Sequence, residues 1–302
     1  MTFDERTFAE LSNGLVYSAI AVYALALLAY AAETAGRVAT GGTVVAASHS
    51  RSRLLGAIGT SLTVLAFVLN LGGVVTRGLA AGRVPWGNMY EFVLVCALAA
   101  GAAYLAFLSR RPVRAFGVWV VALVLLALGL AVTVLYTPAG DLVPVLDSYW
   151  LVVHVAAAIT AGGVFTVGAV ATALFLVRHR RERVGTAERP HGGYAAGLPT
   201  AHTLDQIAHT AHIFAFPIWT FAVIAGAIWA ENSWGRYWGW DPKETWAFIT
   251  WICYAAYLHA QATAGWRGVR ASWFALTGYA AFLFNFFGVN LWITGLHSYA
   301  GV

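Results

Sequence analysis

Six of the chain's thirteen tryptophans fall between Trp229 and Trp251, around the run Trp234-Gly-Arg-Tyr-Trp-Gly-Trp-Asp-Pro-Lys-Glu-Thr-Trp246. An aromatic belt would spread tryptophan over many membrane-span ends. Here they crowd one segment, interleaved with Gly235 and Gly239, which allow a backbone to approach a flat object closely. Trp234, Tyr237, Trp238, Trp240 and Trp246 offer faces for stacking. Arg236 and Lys243 offer cations that can pair with carboxylates. The ligand implied is large, planar, apolar and anionic at one edge. Haem has that description. Asp241-Pro-Lys-Glu244 has the form of a helix start, with Asp at the N-cap, Pro in the first turn and Glu at N3. Asp241 is therefore read first as a cap.

Histidines supply the second chemistry. His154 lies about one turn inside the fifth apolar run, and His297 closes the eighth, both at the level of the tryptophan segment. An intramembrane histidine is costly, and its default reading is functional. Two at one depth beside an aromatic platform read as axial ligands to one haem iron. His259 sits about 20 Å deeper at 1.5 Å per residue, too far to ligate the same iron. His212 lies at a similar depth on the preceding run, so a His212–His259 pair stays open. His49, His179, His191 and His202 read as solvated loop residues. No general acid or base stands out, so no catalytic residue is assigned and the chemistry expected is positioning.

Elements that hold such a site must be membrane spans. The chain is 60% hydrophobic and 10% charged, against the ~25% charged of soluble domains. Eight apolar runs reach spanning length, at 11–32, 54–76, 90–108, 116–136, 149–177, 208–231, 246–264 and 272–296. The fold class expected is all-α, a polytopic bundle of about eight spans forming one integral membrane domain over 1–302. Within it, 11–177 holds five spans, 178–207 a basic cytoplasmic loop, and 208–302 three spans with the tryptophan loop at 232–245. The loops after the odd-numbered runs hold thirteen arginines, Arg37, Arg51, Arg53, Arg110, Arg111, Arg114, Arg178, Arg180, Arg181, Arg183, Arg189, Arg267 and Arg270. The other side holds five basic residues, Arg6, Arg77, Arg83, Arg236 and Lys243. The richer side is cytoplasmic, which puts both termini and the tryptophan loop outside. Topology accounts for the net charge of +5, and nucleic-acid binding drops out. The acidic first residues argue for a retained first span. Cys96 and Cys253 have no partner at short spacing and read as small buried hydrophobes. Glu91, an acid just inside the third run, either satisfies backbone groups near Asn88 or faces the ligand chamber.

The tryptophan run resembles the WWD signature of haem-handling proteins, and is most similar to the CcsA/ResC family of system II cytochrome c biogenesis. Pro85-Trp-Gly-Asn-Met-Tyr-Glu91, Phe216-Pro217, Tyr257-Leu-His259 and Gly295-Leu-His-Ser-Tyr-Ala-Gly301 belong to the same resemblance, which runs from about residue 85 onward. It implies a multi-pass protein of the inner (cell) membrane that takes haem b as substrate. Haem would be presented at the outer face, for thioether attachment to the CxxCH of an apocytochrome c. Site residues carried over are His154 and His297 as outer ligands of the haem iron and His259 as an inner one. Around them stand Trp234, Trp238, Trp240, Trp246, Tyr237, Arg236, Lys243 and Asp241. A ResB-type membrane partner is implied, with His259 facing a histidine of that partner, as are thiol-reducing proteins and membership of a cytochrome c haem lyase. The family more often has Asp-x-x-x-Tyr-Arg where this chain has Asp205-Gln-Ile-Ala-His209-Thr210. The CcmC-type proteins share the signature with fewer spans, and the eight runs favour the system II family. A haem exporter and a di-haem cytochrome b-like electron carrier are the alternatives from other classes.

Overall fold

The computed structural model describes residues 3–39, 46–111, 113–140, 144–184 and 194–297. The secondary structure of these residues is entirely helical. Eight long helices follow one another: α1 (Phe3–Ala39), α2 (Ala46–Ala81), α3 (Met89–Leu108), α4 (Gly117–Thr133), α5 (Tyr149–Val184), α6 (Ala201–Trp234), α7 (Pro242–Ala262) and α8 (Val269–Leu283). A π-helical turn, Phe284–Gly288, carries α8 into a last short helix, α9 (Val289–Trp292).

The first seven apolar runs fall on α1 to α7 in order, and the eighth crosses α8, the π turn and α9. Seven helices are long and apolar enough to cross a membrane. The exception, α7, carries Lys243, Glu244, His259 and Gln261 among its apolar residues. The chain is a multi-pass membrane protein. Most helices outrun their apolar stretches, because hydropathy marks the hydrocarbon-facing part and the helix continues into the interface. The expected loop over 178–207 is accordingly helical at both ends, where α5 reaches Val184 and α6 begins at Ala201. Thr200 starts α6 as its N-cap, accepting from the Thr203 amide at 3.2 Å. Arg189 and His191, like Ser298–Gly301 of the C-terminal motif, lie outside the described residues.

Helix α5 is the centre of the bundle: 83% of its most apolar window is buried, against 28–44% for the other spans. It packs on α3, α6 and α8, while α1 pairs with α2 and reaches α4, and α7 lies along α8. Pro217 removes one backbone donor from the middle of α6. Side-chain bonds across to α7 reinforce that stretch: Trp251 Nε1 donates to Thr220 Oγ1 at 2.9 Å and Trp219 Nε1 to the Ala247 carbonyl at 3.3 Å.

Glu91 resolves toward its structural alternative. It is fully buried and accepts from Arg77 Nε at 2.9 Å, Arg83 Nη1 at 2.8 Å and the Gly87 amide at 2.8 Å. Its own amide is capped by Asn88 Oδ1 at 3.0 Å. Arg77 is equally buried, and its guanidinium also reaches the Thr137 carbonyl at 2.6 Å and lies over the Tyr90 ring. Two arginines of the less basic side are thus bound to one internal carboxylate.

Candidate functional site

Between α3, α5, α6, α7 and the π turn lies a cleft lined mostly by aromatic and aliphatic side chains, with a few polar groups converging on it, the make-up of a ligand site. His154 and His297 both line it, with Trp219, Trp229, Trp234, Tyr237 and Trp238 on its walls and Lys243 inside.

Local sequence explains how these groups meet. Helix α6 ends at Gly235, whose φ of 70° is the left-handed conformation a C-cap needs. The chain then turns through Arg236–Trp240 and restarts as α7 at Asp241. A capping box holds the restart: the Asp241 carboxylate accepts from the Lys243 amide at 3.2 Å, and Glu244 Oε2 accepts from the amides of Asp241 and Gly239 at 3.1 and 2.8 Å. The same Asp241 reaches the C-terminal segment. Its Oδ1 accepts from the Leu296 amide at 2.8 Å, and its Oδ2 lies 2.8 Å from His297 Nδ1. Asp241 is therefore both the cap expected from sequence and the partner of His297.

His154 is held by α6. Its Nδ1 lies 2.7 Å from the Ala222 carbonyl of α6. Gly226, one turn on, makes the approach feasible, since a β-carbon there would stand 2.7 Å from His154 Nδ1. A carbonyl only accepts, so Nδ1 carries the proton and Nε2 keeps its lone pair. A carboxylate imposes the same tautomer on His297. In both imidazoles Nδ1 is engaged by an oxygen acceptor, the same contact that commonly orients histidines at metal centres. Trp229, buried and not singled out within the tryptophan-rich segment, joins the two: its ring is stacked on His154 at 6.4 Å between centroids and edge-on to His297 at 5.7 Å. Trp234 is edge-on to His297 at 4.9 Å.

At the rim of the bundle the electrostatics are local. Burial pushes the His297 imidazole below its ordinary value, against the opposing pull of the Asp241 hydrogen bond. Burial pushes the Asp241 carboxyl up, but hydrogen bonds from His297, Leu296 and Lys243 outweigh it and leave the group below the usual carboxylate range. The pair is a neutral imidazole donating to a carboxylate. Lys243 Nζ donates to the Asn285 carbonyl at 3.1 Å, a contact made with the π turn, and so stays in the cleft. Single π turns inside α-helices often mark functional sites.

Of the residues expected from sequence, the structure brings together His154, His297, Trp234, Tyr237, Trp238, Lys243 and Asp241. Trp240, Trp246 and Arg236 are in the same loop and first turns but off the cleft wall. Trp240 is exposed with a φ of 58°, Trp246 packs on Phe284 at 4.3 Å, and the exposed Arg236 guanidinium covers Gly239. Cys96, read as a small buried hydrophobe, lines the cleft. Phe92, Phe282 and Asn290 were also missed, since nothing in their local sequence distinguishes them from core residues.

The inner histidines separate. His212 is fully buried, 3.1 Å from Thr172 Oγ1 through Nε2 and ringed by Phe165, Tyr254 and Tyr257. His259 is exposed on the surface of α7, 17 residues beyond Pro242 and so roughly 25 Å along that helix. The two imidazoles occupy different environments and form no pair here. His209 lies near Tyr257, and Asp205 accepts from Gln261 at 3.2 Å.

The cytochrome C assembly protein family profile matches residues 86–297, which contain the whole cleft. The cytochrome c biogenesis protein CcsA of Gloeobacter violaceus is 33% identical, over 90% of this chain and 95% of its own length. The CcsA of Synechococcus elongatus is 34% identical over 81% and 88%, and that of Guillardia theta 33% over 80% and 85%. Among solved structures, the cytochrome c heme lyase CcmF superposes with a TM-score of 0.64 at 18% identity, covering 93% of this chain. This chain spans just under half of that one, 46%, and the likeness is one of fold. With a family match over most of its length and relatives above 30% identity over four fifths of it or more, this chain belongs to the cytochrome c assembly protein family, as a CcsA-type member.

Proposed function

We propose that the cleft receives haem b as a substrate and presents it at the outer face of the inner membrane for thioether attachment to apocytochrome c. One observation carries the reading. His154 and His297 line one aromatic cleft, each with Nδ1 held by an oxygen acceptor, a pair of imidazoles suited to the two axial positions of an iron. Trp229, Trp234 and Trp238 supply flat walls, and Lys243 supplies a cation for a propionate. Filling both axial positions hinders reaction of the iron with oxygen.

Attachment then needs little from side-chain acid–base chemistry. Each cysteine of a CxxCH segment adds across a haem vinyl group: sulfur bonds to one vinyl carbon, the thiol proton ends on the other, and the substrate histidine takes an axial position. The chain's part is to orient the porphyrin and keep water from it. Both termini and the tryptophan loop lie outside in this reading, with the arginine-rich ends of the helices in the cytoplasm. The chain acts as a single integral membrane domain.

His259 is the second half of the proposal. An exposed imidazole at that depth on a membrane-facing helix fits an inner haem site completed by a histidine of a ResB-type partner, on the route by which haem is loaded. Thiol-reducing proteins would keep the CxxCH cysteines ready. A di-haem electron carrier needs a second facing histidine pair, and His212 and His259 do not provide one.

A maturation assay tests the function. The chain is expressed with its membrane partner and a CxxCH cytochrome in a host lacking its own attachment machinery. Covalent haem on the cytochrome is the expected result, reduced in His259→Ala and abolished in a His154→Ala, His297→Ala double variant. Haem reaching the outer face with no thioether formed would make the protein an exporter.

A further inference from the structure

The two cleft histidines differ in what holds them, and that difference bears on the ligand exchange that attachment requires. We propose that His297 is the retained axial ligand and His154 the one that yields to the incoming cytochrome histidine, with Asp241 as the positioning residue that sets the order. The inference rests on the haem-presentation reading above.

The chemistry of the Nδ1 partners is the first argument. His297 donates to a carboxylate, His154 to a neutral backbone carbonyl. Bonds to an ionised acceptor are roughly twice as strong as neutral ones. A carboxylate on the far nitrogen raises the basicity of an imidazole ligand. Asp241 can act steadily because it is itself fixed: it is 7% exposed, caps α7 and accepts the Leu296 amide. On one iron, the more basic imidazole is the stronger donor and weakens the bond opposite it. With haem held between the two, His154 would be the ligand so weakened.

Access is the second argument, and it is independent. A further, shallower hollow adjoins the cleft and shares Leu146 and Leu151 with it. Its wall includes Tyr149 and Val152, on the first turn of α5 just before His154, and Trp86 of the segment leading into α3. Tyr149, on the wall of this hollow, is 77% exposed. An extended CxxCH segment lying there would bring its histidine to the face of the haem that His154 occupies. His297 is enclosed by Trp229, Trp234 and Asp241.

Haem dissociation and resonance Raman spectra of the haem-loaded, detergent-purified chain test the order. His154→Gly is expected to keep haem as a five-coordinate species on reduction, restored to six-coordinate low spin by added imidazole. His297→Gly is expected to lose haem at least about tenfold faster, since loss of even a hydrogen-bond partner of a ligand costs about 10–100-fold in affinity. The iron–histidine stretch of reduced His154→Gly should lie high, in the range of carboxylate-bonded imidazoles. It should fall when Asp241→Asn is added, a change that keeps a good N-cap residue on α7 and so spares the fold. Equal or reversed retention in the two glycine variants, or a stretch unmoved by Asp241→Asn, overturns the proposal while leaving bis-histidine binding intact. A wild-type protein without a bis-imidazole spectrum overturns the haem-presentation reading itself.

Discussion

His297 Nδ1 lies 2.8 Å from Asp241 Oδ2, so the residue that starts α7 also holds the residue that follows α9. Fifty-six positions of sequence separate them, and one carboxylate closes the gap. It makes the tryptophan loop and the C-terminal segment a single unit. Disturbing either end should disturb both.

The buried Arg77–Glu91–Arg83 cluster is expected to support the fold and not the ligand. Removing one partner of a buried ion pair costs about 3–5 kcal/mol, because the charge left behind has no compensation. Arg77 is 1% exposed, so Glu91→Ala should fall in that range in detergent unfolding. The fraction that folds should keep a wild-type haem spectrum. A loss below about 1 kcal/mol, the scale of an exposed pair, would show that the cluster is solvated.

Gly226 is expected to control the position of His154. An alanine there would put its β-carbon 2.7 Å from Nδ1, closer than carbon and nitrogen can pack. Gly226→Ala should cost about 1–3 kcal/mol of overpacking and move the ring. The low-spin haem signal should convert in part to high spin, with α6 helicity unchanged by circular dichroism. A wild-type spectrum in this variant would place the His154 contact elsewhere.

Acid should release haem late. Burial keeps His297 neutral to a pH below the ordinary imidazole value of 6.5. A group with a depressed pKa holds its neutral form until the pH falls through that lower value. Asp241, also depressed, keeps its charge, and the stability that goes with it, over the same range and loses it only in stronger acid. Spectrophotometric titration should therefore find the midpoint of haem loss below 6.5. A midpoint at or above that value would mean an exposed, unpartnered ligand.

Much of this architecture was legible before folding. The eight apolar runs fall on helices because a spanning segment must be both apolar and hydrogen-bonded internally. Asp241-Pro-Lys-Glu244 announced a helix start, and the capping box formed. The second role of Asp241 was not legible, since it depends on where residue 297 returns in space. Trp229 was part of the tryptophan-rich segment but was not singled out, because its place between two histidines comes from the crossing of α5 and α6. His212 and His259 agree in depth along their helices, yet depth says nothing of rotation about the axis, and one faces inward while the other is exposed. Cys96 carried no spacing signal at all, having no partner within its own helix.

The central claim is that His154 and His297 together hold one haem. A visible spectrum of the detergent-purified chain, beside His154→Ala and His297→Ala, tests it most directly. A low-spin bis-imidazole spectrum is expected for the wild type, lost or shifted in each variant. A wild type that takes up no haem with partner and haem supplied, or a spectrum unchanged in both variants, would contradict it.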